Sequence, residues 1–228
     1  MVATSEPVGE AAGYHDRLMW RDLFDDNPYG TNCWLLAAEG SQDAVVVDPG
    51  FEPERVRSLL DQAGKRPAAV LLTHAHVDHA ASAGTFAGDE TPVFVHEADA
   101  VAFWDPSAWN PGFENPLAEV KDLRTIADGD VLELAGFRID VRHTPGHTPG
   151  HCCFRTDALV LSGDLVFAGS IGRSDFANSS PSDMTQSLRR FLELPDELPV
   201  WPGHGPQTTV GRERATNPFL RDIAKDIN

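Results

Sequence analysis

The sequence predicts an α/β layered domain with sheets covered by helices. Three observations carry this: short apolar runs stop abruptly at turn residues, apolar positions recur at helical spacing between those runs, and the two kinds of segment mix in order across 228 residues. The chain is read as a single domain spanning residues 1–228, with its first dozen small and polar residues as a frayed tail.

Ala44-Val45-Val46-Val47 stops at Asp48-Pro49-Gly50. After Pro53, Val56, Leu59, Leu60 and Ala63 follow the i, i+3, i+4, i+7 pattern of a helix that Gly64 closes. Ala68-Ala69-Val70-Leu71-Leu72 stops at Thr73-His74. The segment from Trp104 to Pro116, with Trp104, Trp109, Phe113 and three prolines, fits neither period and reads as a packed Ω-loop or a lid over substrate. Phe137, Ile139 and Val141 alternate with Arg138, Asp140 and Arg142, as a half-exposed strand does. Ala158-Leu159-Val160-Leu161 stops at Ser162-Gly163-Asp164. The runs at 44, 68 and 158 lack polar alternation, which predicts strands covered on both faces. From Ser182 as N-cap, Met184, Leu188, Phe191 and Leu192 mark a second helix, ended by Pro195.

Eighteen Lys and Arg stand against 35 Asp and Glu, a formal charge of −17. Such a surface repels phosphate backbones and anionic bilayers, so neither a nucleic-acid nor a membrane partner is expected. Cys33, Cys152 and Cys153 form no disulfide framework and read as small buried hydrophobes. The first residues lack the basic and apolar regions of a secretion signal, and no apolar run nears the length of a membrane span, so the expected location is cytoplasmic.

Thr73-His74-Ala75-His76-Val77-Asp78-His79 packs three imidazoles and a carboxylate into six residues after a buried strand. Clustered imidazoles lose hydrogen-bond partners and repel when protonated, whereas a cation removes both problems. In an extended turn His74 and His76 point the same way, and Asp78 and His79, where Ala80-Ala81-Ser82-Ala83 begins a helix, face a second point. The spacing thus predicts two adjacent metals. Three more candidates sit at carboxyl ends of predicted strands: His147 in Thr144-Pro145-Gly146-His147, Asp164 in Ser162-Gly163-Asp164, and His204 after Leu198-Pro199-Val200-Trp201.

His-x-His-x-Asp-His followed by a distant His, an Asp and a final His resembles the metallo-β-lactamase superfamily. The resemblance implies a four-layer αββα sandwich and a binuclear site, with His74, His76 and His147 on one metal, Asp78, His79 and His204 on the other, and Asp164 bridging. It places Asp78 and Asp164 where hydrolysis occurs. Two divalent cations acidify a shared water and polarise a carbonyl, so no Ser or Cys nucleophile is needed. Zinc is the expected metal; iron and manganese accept the same donors. Asp48 in Val47-Asp48-Pro49-Gly50 matches a family position near the metals, and either hydrogen-bonds a ligand histidine or caps the turn at Pro49.

Gly169-Ser170-Ile171-Gly172-Arg173 resembles the basic loop of glyoxalase II-type hydrolases, which implies Arg173 as a contact for the thiol part of a thioester substrate; an Arg173 paired only with Asp175 is the alternative. The tail from Gly211 to Leu220 also resembles short bacterial glyoxalase II-like proteins. Asp175 and Pro206 stand where the longer enzymes place tyrosines, which leaves the thiol carrier open. The resemblance therefore implies a hydroxyacyl thioester hydrolase. The rival is a persulfide dioxygenase with one iron on His74, His147 and Asp164, since Gly172-Arg173-Ser174-Asp175-Phe176 is similar to that family's loop, while Gly203-His204-Gly205-Pro206 is more similar to the hydrolases. His15, His96, His143 and His151 read as structural, with His151 near enough to the site to support it.

Overall fold

Odd and even residues of the central strands enter different cores, and this parity generates the layers. In the computed structural model, which describes residues 17–23, 29–86, 91–105, 109 and 117–225, the first half forms β1 (Arg17–Leu23), β2 (Asn32–Ala38), β3 (Asp43–Val47), α1 (Pro53–Ala63), β4 (Arg66–Leu71), α2 (Val77–Ala80), α3 (Ala83–Phe86), β5 (Val93–His96), α4 (Glu97–Trp104) and β6 (Leu123–Ile126). Its six strands make one sheet in chain order, antiparallel from β1 to β3 and parallel from β3 to β6. The dozen N-terminal residues read as frayed, and most of the segment between Trp104 and Pro116, lie outside the described residues.

The second half forms β7 (Val131–Leu134), β8 (Phe137–His143), β9 (Cys152–Arg155), β10 (Val160–Gly163), the short ribbon β11 (Val166–Phe167) and β12 (Ser170–Ile171), α5 (Pro181–Phe191), β13 (Pro199–Pro202), β14 (Thr208–Thr209), α6 (Val210–Thr216) and α7 (Arg221–Lys225). Its sheet runs β14-β13-β10-β9-β8-β7.

Cys33, Leu35, Val46, Val70 and Val95 pack outward against helical residues such as Val56, Leu60 and Ala100. Their neighbours Trp34, Leu36, Val45, Val47, Leu71 and Phe94 face inward and meet Phe137, Ile139, Val141, Phe154, Leu161 and Trp201 of the other sheet. Cys153, Val160 and Val200 then face outward to Met184, Leu188 and Phe191. Three cores separate four layers, helices–sheet–sheet–helices. This is why the runs at 44, 68 and 158 are apolar throughout, since a strand covered on both faces has no solvent side.

Gly64 closes α1 in the left-handed conformation, as its sequence position suggests. Ser180, not Ser182, caps α5: its side chain accepts from the Asp183 N–H, and Pro181 takes the first helical position. A residue before proline is held extended, which suits a cap, and proline at the first turn loses no hydrogen bond. The helical turn near the histidines also begins earlier than expected, at Val77, and breaks into α2 and α3. No helix among the described residues is long and apolar enough to cross a membrane, and the three cysteines are free and buried.

Candidate metal centre

The carboxyl ends of β3, β4, β8, β10 and β13 converge on one rim of the sandwich. After β4 the chain passes through Thr73 to His76 into α2, and Cys152 N–H of β9 donates to Thr73 O at 2.7 Å, fastening the two sheets at this loop. Gly203 N–H donates to Gly163 O at 2.8 Å, so the Asp164 and His204 turns share a seam. Gly203 is required there by close approach: a Cβ would lie 2.3 Å from Asp164 Oδ1 and 2.8 Å from His79 Cε1.

The structure brings all seven expected donors together. Among the described residues, His74, His76 and His147 form one set of atoms mutually within 4.8 Å, Asp78, His79 and His204 a second, and His74, His79 and Asp164 a third that joins them. Asp164 Oδ2 is 3.4 Å from both His147 Nε2 and His204 Nε2, and its Oδ1 is 3.4 Å from His79 Nε2. It therefore lies between the two sets.

Four of the five imidazoles are oriented from behind. Thr73 Oγ1 donates to Asp48 Oδ2 at 2.7 Å, so His74 Nδ1–H donates to Thr73 Oγ1 at 3.1 Å and leaves His74 Nε2 as a bare acceptor. His79 Nδ1–H donates to Asp48 Oδ2 at 3.0 Å, His147 Nδ1–H to Arg173 O at 2.7 Å, and His204 Nδ1–H to Tyr29 O at 3.0 Å. In all four Nε2 faces inward. His76 turns Nδ1 toward His147 Nε2, 2.9 Å away. Thr31 Oγ1 donates to Asp78 Oδ2 at 2.9 Å, and His151 Nε2 accepts the Asp164 N–H at 3.0 Å.

The electrostatics split the site. Burial, then His79 and the other imidazoles, hold His74 well below the usual imidazole range. Burial and then His147 bring His76 to about 3. Burial also opposes charge on His79, but Asp78, Asp164 and Asp48 outweigh it and raise His79 to about 9. For His204 burial is outweighed by Asp164 and Asp78, which raise it to about 11. Burial works against the Asp78 anion, yet His79 and His204 hold it at about 2, and the same two histidines hold Asp164 well below the carboxylate range. Protons on His79 and His204 thus supply the positive charge the carboxylates require.

The donor set fits divalent cations. His74 Nε2 and Asp164 Oδ1 are buried without a hydrogen-bond partner, a costly state that a cation relieves. The recurrent 3.4 Å donor spacing is long for a hydrogen bond. It is about the edge of a tetrahedron of N and O donors lying roughly 2.1 Å from a central ion.

A cleft of about 720 Å³ opens over the donors, walled by Tyr29, Trp109, Phe167, Ile171 and Phe176. Phe176 touches His76 and His147 edge-on, and Phe167 does the same to His204. Arg173 lines the rim, where its Nε and Nη2 bond Asp175 at 2.8 and 3.0 Å and its guanidinium lies 4.4 Å from the Phe176 ring centre. The supporting roles of Thr31, Thr73 and the Tyr29 and Arg173 carbonyls left no mark in the sequence, because a hydroxyl or backbone oxygen has no motif of its own.

The sequence pattern of the metallo-β-lactamase superfamily matches residues 26–204. The hydroxyacylglutathione hydrolase GloC of Haemophilus influenzae is 32% identical over 201 residues, spanning 83% of this chain and 92% of that protein. Two solved structures are similar in fold and sequence. The BLEG-1 B3 metallo-β-lactamase has a TM-score of 0.78 at 32% identity, covering 89% of this chain and 99% of that one. TTHA1623, in a di-iron-bound form, has a TM-score of 0.70 at 40% identity, covering 85% and 97%.

Proposed function

The chain belongs to the metallo-β-lactamase superfamily, whose members are generally hydrolytic enzymes, and from that footing we propose that it hydrolyses a hydroxyacyl thioester with two divalent metal ions. The observation that carries the reading is Asp164, whose two oxygens reach nitrogens of both histidine sets. His74, His76 and His147 would hold one ion, Asp78, His79 and His204 the other, and Asp164 both. Zinc suits this set, and the di-iron form of TTHA1623 makes iron a natural alternative. Such a pair supplies Lewis acidity toward a carbonyl oxygen and an acidified water.

The chain's own residues do the rest. Asp48, Tyr29 O and Arg173 O each accept a hydrogen bond from an Nδ1–H and so leave Nε2 of His79, His204 and His147 as the atom that would meet a metal. The aromatic walls shield the acyl group from bulk water. Arg173, at the rim, takes an acidic group of the thiol part in exchange for Asp175. A thiolate leaves without a proton donor because thiols ionise near pH 8.5, so a thioester makes no demand on imidazoles already committed to metal. The likeness to GloC supports this substrate class.

The test is thiol release from a small hydroxyacyl thioester by metal-loaded protein, with an oxygen electrode following glutathione persulfide in the same preparation. Thiol release without oxygen uptake is expected. Iron-dependent oxygen uptake retained in His204→Ala would replace the hydrolase by a persulfide dioxygenase, which the Gly172–Phe176 loop resembles. Turnover of β-lactams with no thioester cleavage would also overturn the proposal.

A further inference from the structure

Helix α4 supplies none of the seven donors, yet its first turn sends a carboxylate between the two loops that carry the first set. Asp99 is fully buried. Its Oδ2 accepts from Ala75 N–H at 3.0 Å and Thr148 Oγ1–H at 2.7 Å, and its Oδ1 accepts from Gly150 N–H at 2.6 Å. Ala75 lies between His74 and His76, Thr148 directly follows His147, and Gly150 directly precedes His151. One side chain therefore ties the His74–His76 loop to the His147–His151 loop.

The neighbourhood is built around this tie. A Cβ on Gly150 would stand 2.6 Å from Asp99 Oδ1 and 2.7 Å from its Cγ, so no larger residue fits at that distance. Beside it the rings of His96 and His143 stack, with centroids 3.9 Å apart and planes 9° from parallel. His96 Nδ1 caps α4 by accepting from Ala98 N–H, and His143 Nε2–H donates to Pro149 O at 2.8 Å. The start of α4 and the 143–150 loop are thereby held as one piece. Burial pushes the Asp99 carboxyl up to about 6 even with three donors in place. The chain keeps a group there that costs desolvation, where apolar packing would join two loops without that cost.

We propose that Asp99 is a positioning residue that sets the distance between His147 and the His74–His76 pair, and so fixes the first metal site without acting on the second. This rests on the reading of those histidines as metal ligands. The asymmetry follows from connectivity: Asp99 bonds the segments flanking His74, His76 and His147, whereas Asp78 and His204 are held by Thr31 and Tyr29 O, and His79 by Asp48. An Asn at this position cannot replace the carboxylate, because its NH₂ would face either the Gly150 N–H or the Ala75 and Thr148 donors.

The test is cobalt(II) titration of the metal-free full chain, followed by visible absorption and checked by metal analysis. The band lost in His204→Ala identifies the second site. Wild-type protein is expected to bind two equivalents; Asp99→Asn should weaken the first site by about ten- to a hundredfold and leave the second unchanged. Thr148→Val keeps the shape and removes one donor, so it should weaken the first site in the same sense but less, which keeps the test decisive if Asp99→Asn does not fold. Equal weakening of both sites, or wild-type affinity at both in Thr148→Val and Asp99→Asn, would overturn the positioning role. A wild-type protein that binds no cobalt would instead overturn the metal reading itself.

Discussion

At the scale of the residue, the proposed metal site sets the proton and the metal in competition for the same atoms. His79 and His204 are raised to about 9 and 11, so in metal-free protein both carry protons at neutral pH. His74 and His76 are lowered and carry none. On the proposed two-metal reading, loading the second site must expel these two protons, whereas His74 and His76 have none to give up. Apparent affinity at the second site should therefore rise about a hundredfold per pH unit between pH 7 and 9, more steeply than at the first. Calorimetry in buffers of different ionisation enthalpy reads the protons released; equal release at both sites would contradict the split. The same shifts set the stability of the metal-free chain. A folded-state pKa above the unfolded value of 6.5 stabilises fully below pH 6.5, and that contribution is lost as pH rises through 9 and then 11. Metal-free melting temperature should thus fall over that range, and a flat profile from pH 7 to 11 would refute it. Four of the seven donors were legible because His-x-His-x-Asp-His is dense and improbable as core, and His147, Asp164 and His204 because each follows a strand run at a glycine turn. Asp99 was not, since a lone Asp inside Glu97-Ala98-Asp99-Ala100 looks like any acidic first turn of a helix.

At the scale of the element, strands buried on both faces announced themselves and short ones did not. β11, β12 and β14 have two residues each, too few for any periodicity. α5 was read from its apolar spacing, but its cap was misplaced by two residues because Ser180 and Ser182 are the same residue type and only Pro181 between them decides. The Gly211–Leu220 tail gains a physical meaning in the structure. Glu213 of α6 is buried and accepts from Gly169 N–H at 2.8 Å, and Asn217 Nδ2 donates to Ser170 O at 2.9 Å and to Glu213 Oε2 at 2.9 Å. These bonds hold the β11–β12 ribbon whose Phe167 and Ile171 wall the cleft. Asn217→Ala should leave both acceptors short of a donor and cost about 1–3 kcal/mol in chemical denaturation. A loss under 0.5 kcal/mol, within the range of ordinary surface changes, would show that the ribbon is held by other contacts.

At the scale of the whole molecule, the fold is a device for bringing distant strand ends to one rim. Strand parity was readable as apolar runs, and so were helices between them. What no local pattern carries is the pairing of the two sheets, which depends on Trp34, Phe137, Phe154 and Trp201 meeting across a common core. The formal charge of −17 was read as excluding polyanionic partners. At the site itself Asp78 and Asp164 are held anionic, and the metal-free chain sets two imidazolium groups beside them. The central claim is that Asp164 belongs to both metals at once. Metal titration of Asp164→Asn against the wild-type chain tests it most directly. The amide keeps the shape and loses the charge, so both sites should weaken together, with wild-type protein binding two equivalents. Full and tight occupancy of both sites in Asp164→Asn, or loss of one site alone, would contradict it.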